Sequence, residues 1–233
     1  MRRTVLLFVL VALISLSATA QNSKDQPLLA GFPQNSHWLN HPADWNVKDG
    51  TLTIRSAEKT DWYTAPTDGK KSANSPILLF PAGEEFWFSA KVTVDFKSMF
   101  DAGVLAVYAD ENNWVKFAFE NSSRNSPSIV SVVTRGLSDD CTGTAIEGNS
   151  VFLKISKSSQ AIFLYFSEDG KKWKLTRALN LGPERPLQFG FSAQSPRGSG
   201  STVTFSDIHY KPEALKFWSG EENSTPAKAP AKQ

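Results

Sequence analysis

One short segment of the sequence, from Trp114 to Glu120, combines side chains that commonly hold a polar ligand. Its alternation of apolar and polar residues predicts a β-strand, in which successive side chains point to opposite faces. Trp114, Lys116 and Glu120 then share one face. An indole can stack on a sugar ring, and charged groups can bond its hydroxyls. The segment therefore predicts a saccharide-binding face, with an ordinary solvated surface as the alternative.

The next predicted strand, Ser128–Arg135, adds polar side chains to this face. Val130 and Val132 are expected to face the core, which leaves Ser131 and Arg135 on the outer face. Antiparallel pairing with the first strand would bring Ser131 or Arg135 beside its charged residues. The bland alternative is cross-strand ion pairing, worth about 0–1 kcal/mol at a surface.

Two acidic residues, Asp139 and Asp140, follow in what is predicted to be a loop. Together with the two strands, they would complete a cleft lined by Lys116, Glu120, Arg135 and Asp140 and closed at one end by Trp62 or Trp114. The predicted ligand-binding residues are Trp62, Trp114, Lys116, Glu120, Ser131, Arg135 and Asp140.

An enzymatic alternative uses Glu120 and Asp140 as a pair of catalytic carboxyls. Glycoside hydrolysis needs two carboxyls about 5–5.5 Å apart for retention of configuration, or roughly 6.5–9.5 Å for inversion. Spacing along the chain does not supply that separation, so a non-catalytic binding module and a saccharide hydrolase both remain open. The binding module is preferred, and a protein-interaction module is a third alternative.

The sequence predicts no metal site and no cofactor. It has three histidines, of which His37 and His41 lie in a segment with loop composition, and a single cysteine, Cys141. This set does not match the ligand spacing of a zinc site. Oxygen-rich turns such as Asp110–Asn113 could hold calcium, but a plain turn is the simpler explanation.

The N-terminus has the three parts of a secretory signal peptide. Two arginines precede an apolar stretch, and the segment ends at Ala18-Thr19-Ala20. The apolar stretch is too short to span a bilayer of about 30 Å. We therefore expect cleavage after Ala20 and an exported, soluble product, periplasmic or secreted, without membrane insertion.

Net charge excludes one class of partner. Removal of residues 1–20 takes away two arginines and no acid, which leaves 23 basic and 23 acidic residues. A neutral chain lacks the basic surface that nucleic acids require. The expected partner is instead a glycan or another small polar ligand, and the oligomeric state is open.

Period-two alternation continues along most of the chain, punctuated by turn signals such as Asp49-Gly50 and Asp169-Gly170. Many short strands without intervening helices predict an all-β sandwich of two antiparallel sheets. We expect a lead at 21–35, one domain at 36–212 and a flexible tail at 213–233. The predicted strands are Thr51–Arg55, Ile77–Phe80, Phe86–Phe96, Gly103–Tyr108, Trp114–Glu120, Ser128–Arg135, Val151–Ser156, Ala161–Ser167, Lys172–Arg177, Leu187–Ala193 and Thr202–Tyr210.

Several short motifs, in order, resemble the family called domain of unknown function 1349, which includes proteins named as regulators of enolase. The resemblance covers roughly residues 36–210 and implies a concanavalin A-like lectin/glucanase jelly roll. It implies no reaction, and sugar binding follows only by analogy. Retaining glucanases of this fold carry a Glu-x-Asp-x-x-Glu run, which this sequence lacks. The motifs are Asp61-Trp62-Tyr63, Ala102–Leu105, Asn113–Lys116 with Glu120, Ser131–Thr134, Ser138–Asp140, Ser167–Trp173, Gly190–Ala193 with Ser195-Pro196, and Val203–Asp207.

Overall fold

The computed structural model describes residues 28–182, 184–215 and 219–220. This part of the chain contains sixteen β-strands and no helix. The strands are β1 His37–Trp38, β2 Asp44–Lys48, β3 Thr51–Arg55, β4 Trp62–Thr64, β5 Lys71–Ala73, β6 Ile77–Pro81, β7 Phe86–Val94, β8 Ala102–Asp110, β9 Asn113–Asn121, β10 Pro127–Arg135, β11 Leu137–Ala145, β12 Ser150–Ser158, β13 Ala161–Ser167, β14 Lys174–Leu179, β15 Gln188–Gln194 and β16 Thr202–Lys211.

The strands form two large sheets that pack face to face. The cleft sheet has the order β1-β6-β15-β8-β9-β10-β11, and the back sheet has the order β14-β13-β12-β7-β16-β3-β2. A small hairpin, β4–β5, is not hydrogen-bonded into either sheet. All strand pairs are antiparallel, as in β8 with β9 and β7 with β12. The predicted two-sheet jelly-roll sandwich is therefore confirmed.

The main core lies between the sheets and follows the predicted alternation. On β7, Phe86, Phe88 and Val92 point inward and are fully buried. On β9, Val115 and Phe119 do the same from the opposite sheet. Each large apolar side chain that is removed from water stabilises the fold by about 1.5–3 kcal/mol. This face of β9 is thus committed to holding the sandwich together.

A second apolar cluster lies on the other face of the cleft sheet. Trp62 of β4 stacks on Trp114 of β9 with ring centroids 4.1 Å apart. Ala118, Val130 and Val132 belong to the same cluster. The β4–β5 hairpin therefore covers part of this outer face, and the central strands of the cleft sheet are buried on both sides.

The strands predicted from alternation are all present, with ends that differ by no more than two residues. Sequence analysis missed β1, β2, β4, β5 and β11. Most of these are short edge elements, and β11 contains two Asp and one Gly, which disfavour strands. The predicted loop at Asp139 and Asp140 is wrong, because both residues lie in β11.

The predicted signal peptide, residues 1–20, lies outside the described residues, as does most of the predicted tail. Within that tail, Gly220 packs on the back sheet, where its carbonyl accepts a hydrogen bond from Lys154 Nζ at 2.8 Å. From the predicted lead, Leu29 and Phe32 are buried in the main core. In the described part of the chain, no helix has the length and apolarity that membrane crossing requires.

Candidate ligand-binding site

Strand β9 supplies the floor of a cavity on the outer face of the cleft sheet. Lys116 and Glu120 point to this face and are 3% and 7% exposed. On the neighbouring strand β8, their cross-strand partners are Ala106 and Ala102. Both alanines are fully buried in the second apolar cluster, so the long polar side chains of β9 form the floor of the cavity.

Strand register brings two further polar residues to the floor. Asp140 of β11 pairs with Val132, which in turn pairs with Lys116. On the other side of β9, Gln194 of β15 pairs with Ala102, the partner of Glu120. Directly opposed residues in antiparallel strands share a face. Four polar side chains from three separated strands thus meet on one surface.

The walls come from the β4 hairpin and from two loops. Asp61 and Tyr63 flank the buried Trp62, and Phe100 and Pro196 lie in loops at the mouth. The space between these walls, here called the deep compartment, is a cavity of about 200 Å³. It is lined by Asp61, Tyr63, Phe100, Lys116, Glu120, Asp140, Gln194 and Pro196.

A larger hollow of about 510 Å³, here called the outer compartment, adjoins the deep compartment. The two share Asp61, Tyr63, Phe100 and Pro196 as lining residues. The outer compartment adds the side chains of Lys59, Ala65, Thr67, Asp68, Lys70, Ser72 and Arg197. Together the two adjoining compartments form one cleft on the outer face of the cleft sheet.

A buried carboxylate holds the two mouth loops in place. Asp101 is fully buried, and its Oδ2 accepts hydrogen bonds from the backbone N–H groups of Lys97 and Ser98. Its Oδ1 accepts a hydrogen bond from the Ser195 hydroxyl at 2.6 Å. Because Phe100 and Pro196 are the chain neighbours of Asp101 and Ser195, this network positions the aromatic and proline sides of the mouth.

Lys116 is the charged centre of the floor. Its Nζ donates to Gln194 Oε1 at 3.2 Å and lies 3.7 Å from Asp61 Oδ1. The same ammonium lies 5.9 Å from the centre of the Tyr63 ring. Gln194 also donates from Nε2 to Phe100 O at 3.1 Å and, weakly, to Glu120 Oε2 at 3.5 Å. The polar groups therefore form one network around the cavity.

Burial changes the acidity of the carboxyls in this network. It raises the pKa of Glu120 to about 7, with Lys116 opposing the shift and Asp140 and Asp61 adding to it. Burial also raises the pKa of Asp140, against the lowering effects of Lys116 and the Cys141 backbone. The cost of desolvating the Glu120 carboxylate exceeds its electrostatic attraction to Lys116, so Glu120 is partly protonated near neutral pH.

The two predicted tryptophans lie on the predicted face but do not line the cavity. Trp114 is 1% exposed and Trp62 is 4% exposed, since they stack on each other. The expectation that one of them closes the cleft beside a ligand is wrong. Tyr63 and Phe100 form the aromatic walls instead.

The facing predicted for β10 is also wrong. Ser131 pairs with Phe117, which points into the main core, and its hydroxyl accepts a hydrogen bond from Arg177 at 3.3 Å. Arg135 donates to the carbonyl of Asn180, the residue after β14, and does not reach the cavity. The alternation pattern could not show which side chains of β10 point to the core. The β4–β5 hairpin covers the outer face, so both faces of this strand carry apolar residues.

Of the predicted site residues, the structure brings together Lys116, Glu120 and Asp140. The cavity residues missed by the sequence analysis are Asp61, Tyr63, Phe100, Gln194 and Pro196. Asp61, Tyr63 and Pro196 lie in motifs that carry the family resemblance, and that signal could have marked them. Phe100 and Gln194 lay outside those motifs.

The carboxyls of the cavity surround it and do not converge on one point. Among the described residues, no group of three or more histidine, cysteine, aspartate or glutamate side chains is arranged to hold a metal ion. The site is therefore suited to a ligand with several bonding groups spread over its surface.

The fold and the site define a class: two-sheet jelly-roll proteins with a polar cleft on one sheet. Residues 38–213 match the model of a protein family described as a protein of unknown function, DUF1349. The chain belongs to this family.

A relative and several solved structures are similar to the chain. Regulation of enolase protein 1 of Saccharomyces cerevisiae is 27% identical over 173 residues, which is 73% of this chain and 86% of that protein. A functionally unknown protein from Saccharomyces cerevisiae, solved by crystallography, superposes with a TM-score of 0.70 and 26% identity over 76% of this chain and 95% of that one.

The same sandwich occurs within larger proteins. A GH43 protein, BlXynB of Bacillus licheniformis, has a TM-score of 0.59 and 16% identity, over 75% of this chain and 36% of its own. A xylan β-1,4-xylosidase from Bacillus halodurans has a TM-score of 0.58 and 16% identity, over 70% and 33% of the two chains. At this identity the likeness shows the fold alone.

Proposed function

We propose that this protein is an exported, non-catalytic saccharide-binding module whose ligand occupies the cleft on the cleft sheet. The observation that carries the proposal is the deep compartment, where Lys116, Glu120, Asp140, Asp61 and Gln194 present bonding groups beside an aromatic wall. Saccharide hydroxyls need both donors and acceptors, and a sugar ring packs on aromatic side chains. A polar groove of this kind suits a small polar ligand better than a protein partner.

Occurrence of the same fold in larger chains supports this proposal. One of these chains is named a xylan β-1,4-xylosidase, so the sandwich is found beside saccharide chemistry. The support is by analogy, because a fold can host unrelated functions.

A glycan array followed by titration calorimetry tests the proposal. Lys116→Met removes the central donor of the cavity and is expected to abolish saccharide binding. Lys154→Met is the matched control, because Lys154 is equally buried but lies on β12 of the back sheet. If no saccharide binds the wild-type protein, or if both variants bind equally, the proposal is wrong.

One observation favours a second candidate, a saccharide hydrolase. The raised pKa of Glu120, about 7, suits a proton donor, and Asp140 lines the same cavity as the partner carboxylate. In this scheme Glu120 protonates the leaving oxygen of the glycosidic bond, while Asp140 takes a proton from the attacking water, whose hydroxyl bonds to the anomeric carbon. Incubation with bound oligosaccharides decides between the candidates: reducing ends released by wild type and not by Glu120→Gln would establish hydrolysis.

Export is part of the proposal and rests on the N-terminal sequence. Expression in a host with a secretory pathway should give mature protein that begins at Gln21, as read by mass spectrometry of the intact chain. Retention of residues 1–20 on protein inside the cell would contradict it.

A further inference from the structure

The deep compartment carries an imbalance of charge that restricts its ligand. Asp61, Glu120 and Asp140 face a single cation, Lys116, and no other cation lines this compartment in the described residues. Lys116 is already engaged by Gln194 and Asp61. Neither Glu120 nor Asp140 forms a direct ion pair in the described part of the chain, although Lys116 acts electrostatically on both.

Glu120 shows the imbalance most clearly. More than nine-tenths of it is buried, and its one recorded hydrogen bond among the described residues is the weak contact from Gln194 to Oε2 at 3.5 Å. A buried carboxyl with only one weak donor is poorly compensated for its lost hydration, and a ligand donor placed in the cavity would improve this.

A metal ion does not fit this arrangement. The described residues contain no acidic grouping tight enough to hold one, because the carboxyls stand on separate strands around the cavity. A protonated amine fits better, since its three N–H donors can reach several separated oxygens. A carboxylate-bearing ligand would meet like charge.

The outer compartment has the opposite charge. Lys59, Lys70 and Arg197 line it against Asp61 and Asp68. A ligand with an amine on every unit would be repelled there. A single amine at the end of the ligand, followed by neutral or acidic units, matches both compartments.

Resting on the proposed saccharide function, we propose that the cleft selects glycans whose terminal unit is an amino sugar with a free amine. The terminal ring occupies the deep compartment and donates from its ammonium to Glu120 and Asp140. The remaining units lie in the outer compartment between Tyr63 and the basic side chains. Binding of this ammonium also draws Glu120 toward its ionised form, because a nearby cation lowers the pKa of a carboxyl.

Calorimetric titration with two trisaccharides tests this selection. The first ends in an amino sugar with a free amine, and the second is identical except that this amine is acetylated. Acetylation removes the charge and should weaken binding by about tenfold or more, the usual size of a lost charge-assisted hydrogen bond. Equal or tighter binding of the acetylated ligand overturns the inference.

Variants locate the effect and separate the two proposals. Glu120→Gln should reduce the affinity ratio of the two trisaccharides toward one, whereas Glu168→Gln, at an exposed carboxyl paired with Lys174, should keep the wild-type ratio. If both trisaccharides bind equally and Lys116→Met abolishes both, the amine selection fails and saccharide binding stands. If neither trisaccharide nor any other glycan binds, both proposals fail together.

Discussion

The two halves of the outer face of β9 differ in their exposure to solvent. At one end, Trp114 lies under Trp62 and is sealed from solvent. At the other end, Lys116 and Glu120 lie under an open cavity. Both halves belong to one strand face and share the same neighbours, β8 and β10. What covers the strand, and not the strand itself, decides which half can take a ligand.

The two halves also differ in how well their polar groups are satisfied. In the sealed half, Trp114 Nε1 is buried without a partner among the described residues, while stacking and apolar contacts fill the space. In the open half, several charges are connected through Gln194. The first half stabilises the fold, and the second keeps bonding groups available.

The largest loss of stability should come from a substitution in the sealed half. Trp114→Ala removes the ring on which Trp62 stacks, and truncation of a buried tryptophan typically costs about 3–5 kcal/mol of unfolding free energy. Chemical denaturation followed by circular dichroism measures this. Trp45→Ala is the control and should cost less, because the Trp45 ring is 38% exposed and is only partly covered by Trp38. Similar losses for both variants would mean that the stacked pair does not anchor the hairpin.

Glu120, in the open half, should make the stability of the protein depend on pH. The folded-state pKa of Glu120, about 7, exceeds the ordinary value of 4.5, so the folded state holds a proton that the unfolded state releases between these values. Stability from this group is therefore fully present below about pH 4.5 and is lost as the pH rises to about 7. Glu120→Gln should match wild type near pH 4 and exceed it by up to about 3 kcal/mol at pH 8. A constant difference across the range would contradict the raised pKa.

A smaller effect should follow from removing the one cation of the deep compartment. Lys116 opposes the upward shift of the Glu120 pKa, so Lys116→Met should raise that pKa further. Carbon-detected NMR titration of the glutamate carboxyls measures the change, with Lys154→Met as the control. A lower pKa in Lys116→Met would show that the ammonium does not act on Glu120.

The smallest effect is expected at a residue that the structure removes from the site. Arg135→Ala loses an exposed contact with the Asn180 carbonyl and should change stability by about 0.5 kcal/mol or less. Saccharide affinity, measured by calorimetry, should stay at the wild-type value. A loss of affinity as large as that of Lys116→Met would place Arg135 back in the cleft.

Alternation along the chain was sufficient to predict the sandwich and the main core. The even positions of β7 point inward as expected, because burial on one face and solvent on the other produce a period of two. The same reasoning correctly placed Lys116 and Glu120 together on β9. This reasoning failed for β10, because apolar residues are buried on both of its faces and polar residues do not distinguish one face from the other. The buried residues are Ile129, Val130, Val132 and Val133.

The chemistry available on β9 could thus be read from residue types and their spacing, since the pleat alone puts alternate side chains on one side. The identity of the residues that surround this chemistry depended on contacts between distant parts of the chain. Register across three strands brought Asp140 and Gln194 to the floor, and the β4 hairpin supplied Asp61 and Tyr63. Such pairings follow from how whole sheets and hairpins pack, and local sequence patterns carry no information on which of several packings has the lowest free energy.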